Sequence, residues 1–196
     1  MPHMTPEKAL QKLLDGNARY IEDHLLHPSR HTERREAVSS RQEPFAIILG
    51  CSDSRVPPEI IFDQGVGDLF VVRVAGNVVG PVALNSIEYA TKYLHSSLIF
   101  VLGHERCGAV TAVFEGDTTD IEALSGLIDP VIQECRQECK HTSSEDLLDY
   151  CIRSNAKNVA KNIRSSPLIT RYIAEKKIDV IAGYYDLYTG KVEILE

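Results

Sequence analysis

Apolar residues occur along this chain in short runs separated by polar stretches. Three runs of strand length, at positions 45–49, 69–74 and 98–102, are almost entirely apolar, and each is followed closely by a glycine. Continuous apolar runs are typical of strands covered on both faces, as in the parallel sheets of α/β proteins. A fourth run at 179–183, followed by a turn signal and an apolar segment at 192–195, predicts a last strand and a hairpin.

Helical spacing of apolar residues accounts for most of the remaining chain. It predicts an amphipathic helix over 5–20, a crossover helix over 82–94 and a short helix over 108–114. Residues from about 119 to 177 are expected to be mostly helical, with Pro130 and Pro167 marking helix starts or breaks. The polar segment 21–43 predicts a connection with at most a short helix near 34–39.

These elements predict a single α/β domain over residues 1–196, with a mostly parallel central β-sheet flanked by helices, an N-terminal helix and a C-terminal hairpin. A chain of 196 residues has the length of one domain. We divide it into an N-terminal helical arm, an α/β core, a helical region and C-terminal strands. The respective ranges are 1–43, 44–116, 117–177 and 178–196.

Composition and charge narrow the possible partners. The chain is 43% hydrophobic and 25% charged, as in ordinary globular proteins. A net charge of −7 without a long basic run argues against a nucleic-acid partner. No apolar stretch reaches the length of a membrane span, and the first residues lack the layout of a secretory signal. We therefore expect a cytoplasmic protein with no membrane partner.

Candidate chemistry follows two of the predicted strands. Residues 50–55 (Gly-Cys-Ser-Asp-Ser-Arg) come directly after the first strand, and residues 103–108 (Gly-His-Glu-Arg-Cys-Gly) directly after the third. Ligands of open α/β sheets bind at the carboxyl ends of the strands, so the two segments can meet there. Cys51, His104 and Cys107 would supply two thiolates and an imidazole, which suit zinc best and leave a fourth position open.

Asp53 and Arg55 bear on whether such a site is closed or open. Asp53 lies near enough to Cys51 to fill the fourth position, and Arg55 lies near enough to hold that carboxylate away in a bidentate pair. The sequence leaves both arrangements open. Because two thiolates neutralise the ion, bound water would ionise less readily than at an all-histidine site, and competition from Asp53 would depend on pH.

The other cysteines are expected to be thiols without a ligand role. An odd total of five cysteines in a chain without an export signal argues against a disulfide framework. Cys135 and Cys139 share a helical face, and together with His141 they are the alternative candidates for a second metal site. The spacing of the later histidine does not fit one.

The two segments resemble the β-class carbonic anhydrases. The paired Cys-x-Asp-x-Arg and His-x-x-Cys motifs are specific, and flanking matches extend the resemblance over nearly the whole chain; those matches are at 16–20, 67–73, 76–77 and 183–189. The resemblance implies one Zn²⁺ per chain, held by Cys51, His104 and Cys107. It implies reversible hydration of CO2 to bicarbonate and a proton, in a homodimer or a dimer-based higher oligomer.

The resemblance also implies roles for the neighbouring residues. Asp53 is a fourth zinc ligand in a closed form, or the partner of Arg55 in an open, active form. In the open form zinc-bound hydroxide attacks CO2, and Asp53 accepts the hydroxide's proton in a hydrogen bond. Four residues are implied in substrate binding: Gln42 by its side-chain amide, Gly108 by its backbone N–H, and Phe70 and Tyr89 as the lining of an apolar CO2 pocket, often supplied partly by the other subunit.

Two alternatives and one departure accompany this interpretation. Related enzymes with the same fold and zinc hydrolyse carbonyl sulfide or carbon disulfide, and the sequence does not separate them from CO2 hydrases. A non-catalytic, zinc-stabilised binding or scaffold protein is the alternative of another class, and Asp53, Arg55 and Gln42 speak against it. A subgroup with a regulatory bicarbonate site has tryptophan where this chain has Ile48, and the chain has no tryptophan at all. This departure speaks against that form of regulation and leaves a pH-dependent Asp53 switch open.

Overall fold

The computed structural model describes residues 4–140 and 143–195, and over these residues the chain forms one five-stranded sheet in the order β2-β1-β3-β4-β5. The strands are β1 (Ala46–Gly50), β2 (Leu69–Arg73), β3 (Leu98–His104), β4 (Asp179–Tyr185) and β5 (Val192–Leu195). The first four pair in parallel, and β5 pairs antiparallel with β4. The expected mostly parallel sheet and the C-terminal hairpin are thereby confirmed.

The helices cover both faces of the sheet. They are α1 (Pro6–Ile21), α2 (Thr32–Val38), α3 (Pro58–Ile61), α4 (Pro81–Tyr93), α5 (Gly108–Glu115), α6 (Glu122–Glu138), α7 (Ser144–Arg164) and α8 (Pro167–Ala174). The short helix α3 and a 3₁₀ turn at Ala75–Asn77 were not predicted. None of the helices over the described residues is long and apolar enough to cross a membrane.

Pro167 begins α8 as predicted, but Pro130 lies inside α6. The expectation that Pro130 marks a helix start or break is wrong. A proline inside a helix removes one N–H donor and crowds the carbonyl four residues earlier. Here both Pro130 and Gly126, the residue at that earlier position, lie at the exposed surface, where water can reach the unpaired carbonyl.

The central strands explain the continuous apolar runs. Every residue of β1 and β3 is buried, because helices cover both faces of these strands. One face packs Ile48 and Phe100 with residues of α1 and α3, and the other packs Ile47 and Val101 with residues of α4, α7 and α8. Burial of each large aliphatic side chain stabilises the fold by about 1.5–3 kcal/mol.

Helix α1 is fixed to the far end of the chain by Asn17. The Asn17 amide donates hydrogen bonds to the carbonyls of Ile61 (3.2 Å) and Gly190 (2.8 Å), and its oxygen accepts one from the N–H of Val192 (2.8 Å). Gly16 allows this approach, since a Cβ at that position would lie 1.8 Å from the Phe62 carbonyl oxygen. The first helix therefore docks on the hairpin and on α3 together.

Candidate metal centre

Three ligand side chains meet at the carboxyl ends of two neighbouring strands. Cys51 follows β1, His104 is the last residue of β3, and Cys107 directly precedes α5. Their ligand atoms all lie within 4.8 Å of one another, and all three residues are buried. Over residues 4–140 and 143–195 no other group of His, Cys, Asp or Glu side chains has this geometry. The structure thus brings together the three residues that the sequence selected.

The turn between His104 and Cys107 is not helical. Arg106 adopts a left-handed backbone conformation (φ 51°), and α5 begins only at Gly108. A shared helical face therefore does not bring the two ligands together. The reversal at Arg106 returns the chain so that Cys107 lies beside Cys51, with 3.9 Å between the two sulfurs.

The donor set fits a tetrahedral zinc ion. Two sulfurs held about 2.3 Å from zinc at the tetrahedral angle are separated by about 3.8 Å, and the observed separation is 3.9 Å. The Nδ1 atom of His104 lies 2.8 Å from the Glu105 carbonyl oxygen and can only donate to it, which leaves the lone pair on Nε2. That buried Nε2 has no hydrogen-bond partner among the described residues, as expected for a metal-ligating nitrogen.

The two thiols share one hydrogen bond and differ in acidity. The hydrogen bond from the Cys107 thiol is the main cause that lowers the pKa of Cys51, and the N–H of Gly76 (3.3 Å) also lowers it. The same hydrogen bond, together with burial, raises the pKa of Cys107. A divalent cation binds thiolates and releases their protons, so it would take the place of the shared proton.

Asp53 is held beside the ligand group by Arg55. The Arg55 side chain donates from Nε to Oδ1 (3.0 Å) and from Nη2 to Oδ2 (2.8 Å), and its backbone N–H donates to Oδ1 (2.9 Å). These hydrogen bonds lower the pKa of Asp53 to about 2. The Oδ2 atom lies 3.9 Å from Nε2 of His104, so the carboxylate borders the site as an anion.

Arg73 has a role in this loop that the sequence did not reveal. The Nε of Arg73 donates to the carbonyl oxygen of Cys51 (2.8 Å), and its Nη2 donates to the carbonyl oxygen of Asp53. The guanidinium therefore fixes the backbone of the loop that carries one ligand and the acid.

The remaining predicted site residues fall into three places. Gly108 opens α5 next to Cys107. Phe70 and Tyr89 lie together on the α4 side of the sheet, with ring centroids 6.4 Å apart. Gln42 precedes β1 and lines a cavity of 720 Å³ at the amino ends of the strands. Because β1 has five residues, at about 3.3 Å each, this cavity and the ligand group lie at opposite ends of the sheet.

Comparison with known proteins agrees with this site. The family profile described as carbonic anhydrase matches residues 46–192. The structure of the β-carbonic anhydrase CcaA superposes with a TM-score of 0.80 and 26% sequence identity over 95% of both chains. The chain belongs to the β-class carbonic anhydrase family.

A curated relative and a further structure extend the comparison. The carbonic anhydrase of Mycolicibacterium smegmatis is 36% identical over 197 residues, which cover 99% of this chain and 95% of the relative. A structure from a report on two tetrameric β-carbonic anhydrases of Sordaria macrospora matches with a TM-score of 0.71 and 27% identity, over 82% of this chain and 84% of that one. The resemblance to β-carbonic anhydrases that the motifs indicated is thus confirmed.

Proposed function

We propose that this member of the carbonic anhydrase family is a zinc enzyme that catalyses the reversible hydration of CO2 to bicarbonate and a proton. The observation that carries the proposal is the group of Cys51, His104 and Cys107, bordered by an Asp53 carboxylate that Arg55 holds. A purely structural zinc site has four protein ligands. An acid held by its own arginine beside three ligands supports a catalytic site instead.

Each residue then has a task that follows from its atoms. Zinc, when bound, supplies the Lewis acidity that makes water a nucleophile near neutral pH. The two thiolates and the Nε2 of His104 hold the ion. Asp53, an anion with its pKa near 2, is an acceptor for a proton of the nucleophile and orients it towards CO2. Arg55 keeps that carboxylate off the metal and in its accepting orientation.

Gly108 and three side chains complete the proposed substrate site. The N–H of Gly108, in the first turn of α5, can donate to a substrate oxygen. Phe70 and Tyr89 supply the apolar surface that CO2 requires. The amide of Gln42 donates to a substrate oxygen, and its distance from Cys51 along β1 means that this role requires Gln42 of a second copy of the chain.

The surface of α4 supports a dimer-based assembly. Val82, Tyr89 and Tyr93 lie on one face of this helix and are 82%, 47% and 60% exposed. An apolar stripe of this kind is typical of a protein–protein interface. It continues into the cavity that Tyr93 and Gln42 line together. The tetrameric state reported for the Sordaria macrospora enzymes is consistent with such an assembly.

The test combines metal analysis with a stopped-flow CO2 hydration assay across pH. We expect one zinc per chain and rapid hydration that is lost when a chelator removes the metal. One zinc per chain with no turnover at any pH would support the scaffold alternative. Turnover of carbonyl sulfide or carbon disulfide in preference to CO2 would replace the substrate while leaving the metal site unchanged.

A further inference from the structure

A relay of hydrogen bonds connects the Cys51 sulfur to the middle of α7. The N–H of Gly76 donates to Sγ of Cys51 (3.3 Å), and the carbonyl of the same Gly76 accepts from Nδ2 of Asn155 (2.9 Å). Gly76 thus links a ligand atom to a buried amide through two successive peptide groups, the one that carries its N–H and the one that carries its carbonyl. The left-handed conformation of Gly76 (φ 69°, ψ 14°) sets the direction of these two groups relative to one another.

Gly76 has little freedom on its other side. A Cβ at this position would lie 3.0 Å from Cδ1 of Ile128 and 3.4 Å from Cβ of Ala109. These contacts restrict sideways movement of the loop. Apolar contacts do not, however, determine how a peptide group is rotated. The hydrogen bond from Asn155 fixes the direction of the Gly76 carbonyl, and the backbone angles of Gly76 relay that constraint to the preceding peptide group, which carries the N–H that donates to Cys51.

Helix α7 is a rigid support for this hydrogen bond. Ala156, the residue after Asn155, packs so closely on β3 that a Cβ on Gly103 would lie 3.0 Å from it. The strand beneath α7 is therefore the strand that ends in the ligand His104. Asn155 therefore connects the loop that contacts Cys51 to the helix that packs on the strand of His104.

Stability alone does not explain an asparagine at this position. Asn155 is 1% exposed, and its Oδ1 has no partner among the described residues. Burying an amide with half of its hydrogen bonds unmade is unfavourable compared with an apolar side chain of the same size. The neighbouring residues of α7, Ile152 and Ala156, are apolar and buried.

We propose, on the basis of the zinc site inferred above, that Asn155 is a positioning residue that aims the Gly76 N–H at Cys51 and so tunes the thiolate as a metal ligand. A hydrogen bond to a thiolate withdraws charge from the sulfur. It also orients the lone pairs that bind the metal. Loss of the relay weakens metal binding and changes the electronic structure of the metal–sulfur bond.

The test compares two truncations in the same helix, Asn155→Ala and Val159→Ala. Val159 is buried one turn further along α7 and packs in the cluster of Ile47 and Leu49, away from Gly76. We expect Asn155→Ala to weaken zinc binding about 10-fold in competition with a chelator. In the Co²⁺-substituted protein, its sulfur-to-cobalt charge-transfer band should move to longer wavelength. Val159→Ala should lower the stability of the protein but should change neither the zinc affinity nor the cobalt band.

Three outcomes bear on the proposal. Wild-type zinc affinity and an unshifted cobalt band in Asn155→Ala overturn it, as do equal changes in Val159→Ala. If the alanine variant does not fold, Asn155→Leu keeps the number and branching of the side-chain heavy atoms, is expected to fold, and must show the same weakened affinity and shifted band. Failure of the wild-type chain itself to bind zinc would overturn the proposed function, a result distinct from equal binding by wild type and variant.

Discussion

Arg55 donates three hydrogen bonds to the carboxylate of Asp53, two from its guanidinium and one from its backbone N–H. Both carboxylate oxygens are engaged, and Oδ2 stays 3.9 Å from the imidazole of His104. Bidentate pairing of this kind fixes orientation as well as charge. The orientation of the Asp53 carboxylate beside His104 therefore depends on Arg55.

Arg55→Ala should abolish most CO2 hydration while zinc stays bound. Without its arginine, Asp53 is free to become a fourth ligand and close the site. We expect the hydration rate to fall by about 10- to 100-fold or more, measured by stopped flow beside zinc analysis. Arg55→Lys keeps the charge but not the bidentate geometry, so it should recover only part of the activity. Normal turnover in Arg55→Ala would disprove this role.

Cys107→Ser should lose zinc, whereas Cys139→Ser should keep it. Both residues are free cysteines, but Cys107 belongs to the ligand group and Cys139 lies at the end of α6. A serine hydroxyl is a poor zinc ligand compared with a thiolate. Metal content per chain after dialysis measures the difference, and equal zinc in the two variants would contradict the ligand set.

Mixing two inactive variants should restore activity if Gln42 acts on a second copy. Gln42→Ala lacks the amide, and Arg55→Ala lacks the arginine, but a mixed dimer contains one site with both. Random pairing of equal amounts gives roughly a quarter of all sites in this intact form. The two variants are refolded together, and the CO2 hydration activity of the mixture is compared with that of each variant alone. Activity no higher than that of the separate variants would place Gln42 outside the partner's site.

Val82→Arg should dissociate the assembly and lower activity without removing zinc. Val82 is 82% exposed on the apolar stripe of α4, and a charge there opposes burial against a second copy. Light scattering after size exclusion gives the mass, and metal analysis gives the zinc content. Leu26→Arg, at an exposed apolar residue beyond α1, is the matched control and should keep both mass and activity. A Val82→Arg protein of unchanged mass would contradict the interface.

Asp63→Asn should reduce stability at neutral pH and flatten its acid dependence. Burial alone would raise the pKa of Asp63, but hydrogen bonds from Arg19 and from the N–H groups of Leu26 and His27 outweigh it and lower that pKa. The unfolded pKa is about 3.9. The stabilisation is therefore present above that pH and is lost as the pH falls through the native pKa.

Urea unfolding at a series of pH values measures this effect. The loss at pH 7 is expected to be about 1.5–3 kcal/mol, the range for hydrogen bonds to a charged group. The solvent-exposed Glu175, which pairs with Lys177, offers a control: Glu175→Gln should leave the free energy of unfolding unchanged. A parallel fall of wild type and Asp63→Asn between pH 5 and pH 2 would show that Asp63 does not carry the acid dependence.

The sequence predicted the sheet and the ligand group because both depend on strong local signals. The runs that became β1 and β3 are apolar throughout, and Cys51 and His104 lie where those strands end. Helix α3 has four residues, too few for a periodic pattern to identify. Asn155 lies on an amphipathic helix, where an asparagine is usually part of the polar face, and only the packing of α7 on the sheet brings it to Gly76.

Arg73 and Gln42 illustrate a different limit of sequence reasoning. The partners of Arg73 are backbone carbonyls, which every residue carries, so the sequence does not identify them. The motif match placed Gln42 in the substrate site, but it carried no information about which copy of the chain supplies the residue. Only the direction of β1 shows that the amide and the ligand group lie at opposite ends of one sheet.

Two of the three hydrogen-bond partners of Asn17 lie in the C-terminal hairpin, far from Asn17 in sequence. Its amide donates to the carbonyl of Gly190 and its oxygen accepts from the N–H of Val192, residues that are synthesised 173 and 175 positions after it. Until those residues are available, Asn17 lacks two of its three partners. A nascent chain stalled before β5 would therefore lack the hydrogen bonds that hold α1 to the hairpin, although the residues against which the apolar face of α1 packs in β1 and β3 would already be present.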